Sequence, residues 1–150
     1  MSYSTNGELE WPATTNIAVY FQAMSNELST PRILRCPADL EHSIAATNWT
    51  TDFNNSHISY FLNLDARKAY PQELLSGDDN FAMNGTPVEP GMLLLSTNIT
   101  VSWTAERHVD KGNLSFADGS IAEESSSGLR NSARMSVEGT DIATNRIAIP

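Results

Sequence analysis

His108 and Asp118 are separated by nine residues in RHVDKGNLSFADGSIAEE, the stretch from Arg107 to Glu124. A histidine near an aspartate, with serines close by, has the composition of a hydrolytic relay. The imidazole would act as general base, the carboxylate would orient it, and a hydroxyl would attack. Asp110 offers a second carboxylate for the same task. However, no Gly-x-Ser-x-Gly occurs, so no serine has the strained-turn setting of that nucleophile class. Asp118 is also followed by Gly119, and an Asp-Gly step suits a tight hairpin. There the carboxylate bonds nearby backbone and glycine takes positive φ at little steric cost. The residue types favour architecture over catalysis at His108, Asp118 and Gly119.

Metal chemistry has two further candidates. Ser76–Phe81 (SGDDNF) gathers Asp78, Asp79 and Asn80 in what reads as an acidic, solvated turn. Calcium takes roughly six to eight oxygen ligands, so this turn would need distant partners, and the spacing of an EF-hand is absent. Asp78 and Asp79 are the calcium candidates, and no other cofactor is expected. Cys36 is the single cysteine, so an intrachain disulfide is excluded. Lying in ILRCPAD among apolar residues, it reads as a small buried hydrophobe. A zinc site built on it would need several more ligands, and His42, His57 and His108 stand at unrelated spacings. Trp11, Trp49 and Trp103 could line a sugar-binding surface, but no spacing places them together, and packing is the plainer reading.

The formal charge of −9 and the lack of a Lys/Arg cluster disfavour nucleic acid and anionic membrane as partners. A length of 150 residues, 40% of them hydrophobic, fits one domain with a modest core. No apolar run approaches the roughly 20 residues that cross a bilayer, so the chain reads as soluble.

These residues must be positioned by a few readable elements. Residues 1–16 form an irregular lead-in, with Asn6-Gly7 and Pro12 as turn signals. Ile17, Tyr20, Phe21, Met24 and Leu28 recur at helical spacing, predicting a helix over 17–28 with Asn16 as its N-cap. Residues 57–122 are mostly strands and loops. HISYFLNLD is a strand apolar on both faces, the Gly- and Pro-rich stretch from Pro71 to Gly91 breaks any helix, and a hairpin turns at Asp118-Gly119. The tail, 123–150, holds a weak helical segment and an extended end, RIAIP. Helix and strands are segregated, so the expected fold class is α+β, with an N-terminal helix packed on an antiparallel sheet.

The same stretch also resembles a family signature. His108, nine residues, then Asp118-Gly119 is similar to the His-x9-Asp-Gly motif of bacterial prepilin-type, pseudopilin-like proteins. RCPAD at Arg35–Asp39, SYFLNLDARKAYPQELLSGDDN at Ser59–Asn80 and ATNRIAIP at Ala143–Pro150 resemble other segments of that family, in the same order. The resemblance covers about residues 33–150. It implies a pilin-like soluble domain and a non-enzymatic subunit of a type II secretion-like or type IV pilus-like filament. The partners would be other pseudopilin or pilin subunits and an inner-membrane assembly machinery, engaged through an apolar N-terminal helix absent from these 150 residues. Met1 would then open a shortened chain whose parent is anchored in the inner membrane, with the domain periplasmic or at the cell surface. In this reading His108 and the Asp118-Gly119 turn pin one hairpin in place, with the imidazole bonding the turn or a neighbouring backbone carbonyl. The rival readings are an envelope-associated adhesion module using Trp49 and a hydrolase using His108.

Overall fold

Alternation of apolar side chains along strands, rather than helical periodicity, organises the chain. The computed structural model describes residues 16–42 and 44–150, together with the backbone of two short strands, β1 (Ser2–Tyr3) and β2 (Leu9–Glu10), which pair antiparallel. The turn signals at Asn6, Gly7 and Pro12, and Trp11, lie outside the described residues. Six strands form an antiparallel sheet: β3 (Tyr60–Asn63), β4 (Leu74–Asp78), β7 (Gly91–Ser96), β9 (Lys111–Phe116), β10 (Ile121–Ser125) and β11 (Thr144–Ile149). Their spatial order is β10-β9-β4-β3-β11-β7. A second antiparallel sheet, ordered β6-β5-β8, contains β5 (Phe81–Met83), β6 (Thr86–Pro87) and β8 (Val101–Trp103).

Successive residues of a strand face opposite sides of a sheet, and here both sides are covered. Phe61, Leu74, Leu95, Leu114, Ile147 and Ile149 join Phe81, Val101 and Trp103 of the small sheet in one apolar cluster. Leu129 and Ala133 of α3 (Ser126–Met135), spaced four apart on one helix face, complete that cluster. Leu62 and Ala148, one residue out of phase with Phe61 and Ile147, belong to a second cluster with Ile17, Ala18, Tyr20, Phe21, Leu34 and Ile58.

The expected α+β class is corrected by this architecture. Among the described residues the chain is mostly β, and α3 is the one helix longer than two turns. Residues 17–28 do not form the single N-terminal helix expected to pack on the sheet. They split into α1 (Ala18–Ala23) and the single turn α2 (Ser25–Leu28), because Met24 leaves helical geometry at φ −97°, ψ 14°. Serine and asparagine, which stand at 25 and 26, are residue types that disfavour a helix interior, and Ser29 at φ 63° ends the segment. Asn16 is not the cap: Ala18 N donates to Asn55 Oδ1, 37 residues away, at 3.1 Å. Propensity favoured a longer helix, and loop packing from Asn55 decided where it begins.

The β9–β10 hairpin turns at Asp118-Gly119. Asp118 Oδ1 accepts from Ser120 N (2.8 Å) and Ser120 Oγ (2.6 Å), while Gly119 adopts φ 86°.

Candidate functional site

The site begins at a short turn. Pro31 opens a 3-10 turn, Pro31–Leu34, whose capping Thr30 accepts from Arg32 N. This delivers Cys36 and Asp39 to the start of β3, where Leu34 O accepts from Ser59 N at 2.9 Å. Ser59 then joins the two segments. Its Oγ accepts from Cys36 N (3.0 Å) and donates to Asp39 Oδ2 (2.6 Å).

Arg107 closes a buried knot around that hydroxyl. Its guanidinium lies 2.7 Å from Asp39 Oδ2, donates to Ser59 O at 3.1 Å and also bonds Asp79 Oδ1. Asp39 additionally accepts from Glu41 N, His42 N and His42 Nδ1 at 2.8–3.0 Å. Arg107 is 6% exposed, Asp39 0% and Asp79 8%, so three charges are buried together and each is paired. The two carboxylates respond in opposite directions. Burial pushes Asp39 up, but the bonds from Ser59 and His42, with the Arg107 charge, hold it below the usual carboxylate value. Burial dominates at Asp79 and raises it despite Arg107. One guanidinium shared between two acids cannot fully offset the desolvation of both.

A second cluster lies beside the knot. Cys36 Sγ stands 3.3 Å from His108 Nε2, and Asp78 Oδ2 stands 3.6 Å from the same nitrogen. Asp78 Oδ2 also accepts from Asn113 N (2.7 Å) and Asn113 Nδ2 (3.1 Å), whereas Asp78 Oδ1 is buried with no hydrogen-bond partner. Burial, with Cys36 and Asp78 close by, pushes the neighbouring Tyr60 phenol up to about 12, so it stays protonated.

His108 reaches this position through unusual backbone. His108, Val109 and Asp110 have φ of 51°, 52° and 60°, three consecutive left-handed residues without a glycine. Each such residue costs roughly 1–2 kcal/mol, and a β-branched side chain makes it worse. Val109 is 84% exposed and packs against little. Val109→Gly is therefore expected to raise unfolding free energy by about 1 kcal/mol in a urea titration, and a decrease would show that the turn is unstrained.

The residues singled out in the sequence separate. His108 precedes β9 and Asp118 follows it, so about 17 Å of strand lies between them, and the imidazole contacts Cys36 and Asp78 rather than the Asp-Gly turn, one of the two partners expected for it. Asp118 is exposed, and its bonds from Ser120 lower its pKa. Asp110 is exposed as well. Asp78 and Asp79 do not lie on a solvated turn. Asp78 ends β4 and Asp79 follows it, both in the interior, and they face different partners, Asn113 and His108 for one and Arg107 for the other, so they are not arranged as a calcium pair. Trp103 belongs to the core, and Trp49 stacks edge-on against Phe53 with centroids 4.9 Å apart, so these two indoles form no common platform.

No family model, curated protein or solved structure matches the chain.

Sequence reasoning missed Arg107, Asp39 and Ser59, and it took Cys36 for an isolated apolar residue. The available signal was the charge-poor composition. In a chain only 18% charged, Asp78-Asp79 and Glu106-Arg107 are two of five adjacent charged pairs, and nothing comparable marked Asp39 or Ser59.

Proposed function

We propose that this domain is a non-enzymatic structural subunit, the globular part of a pseudopilin-like protein from a type II secretion-like or type IV pilus-like assembly. It would be periplasmic or cell-surface, joining like subunits through an apolar N-terminal helix outside these 150 residues. One observation carries the reading: the four segments that resemble the family converge on one framework. RCPAD supplies Cys36 and Asp39, and the 59–80 segment supplies Ser59, Asp78, Asp79, β3 and β4. His108 and Asp118-Gly119 bracket β9, and the 143–150 segment supplies β11. β9, β4, β3 and β11 are consecutive neighbours in the large sheet. Segments that resemble the family and meet in one such framework would suit a rigid body, which a subunit repeated along a filament needs. The β-rich fold departs from a pilin-like α+β domain, so the reading rests on those segments and not on the architecture.

The test is the reading frame upstream of Met1 in the source genome. A short basic leader, a processing site and an apolar helix are expected there. Co-expression of that full chain with a prepilin peptidase should give a cleaved product that sediments as filaments. A frame without leader and helix, or a full chain that is neither cleaved nor assembled, would reject the proposal.

A further inference from the structure

We propose that Cys36, Asp78 and His108 bind one thiophilic divalent transition-metal ion of the zinc class. The three donor atoms, one sulfur, one oxygen and one nitrogen, all lie within 4.8 Å of one another. Both contacts of His108 fall on Nε2, with Cys36 Sγ at 3.3 Å and Asp78 Oδ2 at 3.6 Å. A single ring nitrogen carries at most one proton, so it can make a full hydrogen bond to only one of the two, and the 3.6 Å contact with Asp78 is already longer than a hydrogen bond. A catalytic relay would use the two ring nitrogens for two different partners. Convergence on one nitrogen is instead the geometry of ligands around a common centre. A tetrahedral ion with metal–sulfur near 2.3 Å and metal–nitrogen and metal–oxygen near 2.0–2.2 Å sets its donors about 3.4–3.6 Å apart. The two distances to Nε2, 3.3 and 3.6 Å, lie within about 0.3 Å of that spacing, and the thiol and carboxylate, within 4.8 Å of each other, need only a small approach to share an ion.

The state of Asp78 points the same way independently. It is fully buried, Oδ1 has no hydrogen-bond partner, and Oδ2 is held by two neutral donors of Asn113. Among the described residues, no arginine or lysine pairs with it, unlike Asp39 and Asp79, which share Arg107. A buried carboxylate left this way takes up either a proton or a cation, and the thiol and imidazole beside it are the co-ligands that a cation needs. Sulfur and imidazole select a borderline-soft ion, whereas calcium or magnesium would require a shell of oxygens. Cys36 is 3% exposed and Asp78 is buried, while the His108 side chain is 26% exposed. The imidazole is the accessible member of the cluster, so an ion would enter past it. Loading forms three coordinate bonds and releases the Cys36 thiol proton to water, with His108 binding as neutral imidazole.

The test titrates the chelator-stripped protein with Co(II), then Zn(II), under reducing conditions. The expected result is one equivalent of Co(II) with a thiolate-to-metal charge-transfer band, displaced by one equivalent of Zn(II), and a zinc-dependent rise in Tm. Cys36→Ser should abolish the band. His108→Asn should weaken binding at least tenfold while keeping the wild-type circular dichroism, because asparagine accepts the left-handed backbone at this position. Should Cys36→Ser fail to fold, the His108→Asn affinity decides. Absence of the charge-transfer band in the wild type, or binding unchanged in the variants, would overturn the assignment.

Discussion

Arg107→Met is expected to destabilise the domain by about 3–5 kcal/mol, the usual cost of leaving a buried charge without its partner. The methionine side chain fills much of the space but supplies no donor. Asp39 would keep Ser59, His42 and the backbone donors of residues 41 and 42, whereas Asp79 would lose its only ion-pair partner among the described residues. Asp79 is therefore the group that suffers most. Arg107→Lys should recover only part of the loss. Its single ammonium cannot span Asp39, Asp79 and Ser59 O with the fixed fork of a guanidinium. Adding Asp79→Leu to Arg107→Met should restore more than 1 kcal/mol, because it removes the stranded charge. Denaturant midpoints of the three variants check this set. A loss below about 1 kcal/mol for Arg107→Met would mean that the knot is not a coupled unit.

Gly77→Ala is expected to cost about 3 kcal/mol although it adds one methyl group. Gly77 sits in β4 between β3 and β9, where it pairs with Phe61 and Leu114. A Cβ there would stand 2.7 Å from Leu114 Cδ2, 2.8 Å from Asn113 O and 2.9 Å from Phe61 Cε1. The leucine tip can rotate, but Asn113 O belongs to the backbone of a central strand and cannot move alone. Overpacking of this kind forces the sheet apart locally, at the upper end of what added methylenes cost. The displaced strand is the one whose end carries Asp78, so the Co(II) charge-transfer band should weaken in parallel. Thermal and urea unfolding measure the first effect. A Gly77→Ala protein of wild-type stability would show that β4 and β9 are further apart than described.

Gly77 also shows why part of this fold was hidden in the sequence. A glycine between Ser76 and Asp78 reads as a breaker, and the stretch from Pro71 to Gly91 reads as turns. It contains β4, β5 and β6. The glycine is there because two neighbouring strands come too close for any side chain, a fact about strands from other parts of the chain. The 17–28 helix failed for a related reason. Spacing identified the apolar residues that are buried, Ile17, Tyr20 and Phe21, but length and start were set by Met24 and by Asn55. HISYFLNLD was legible in part: its centre, Tyr60–Asn63, is a strand covered on both faces, since Phe61 and Leu62 enter different clusters, whereas His57 ends a 3-10 turn and Leu64 and Asp65 lie in a turn.

The sequence by itself determined what a few adjacent residues can decide. The Asp118-Gly119 bend needs only its own carboxylate, Ser120 and one positive φ, and RIAIP carries its extended preference in its β-branched residues. It also determined that charge is scarce, so any buried ion had to find a partner. Only the tertiary structure decided which partner. Cys36 meets His108 across 72 positions, and Arg107 meets Asp79 across 28. Such pairings depend on strand order and on which side of a sheet each residue faces. A shift of one residue reverses that side, so side-chain type and spacing along the chain could not choose between a histidine that latches a turn and one that faces a thiol and a carboxylate.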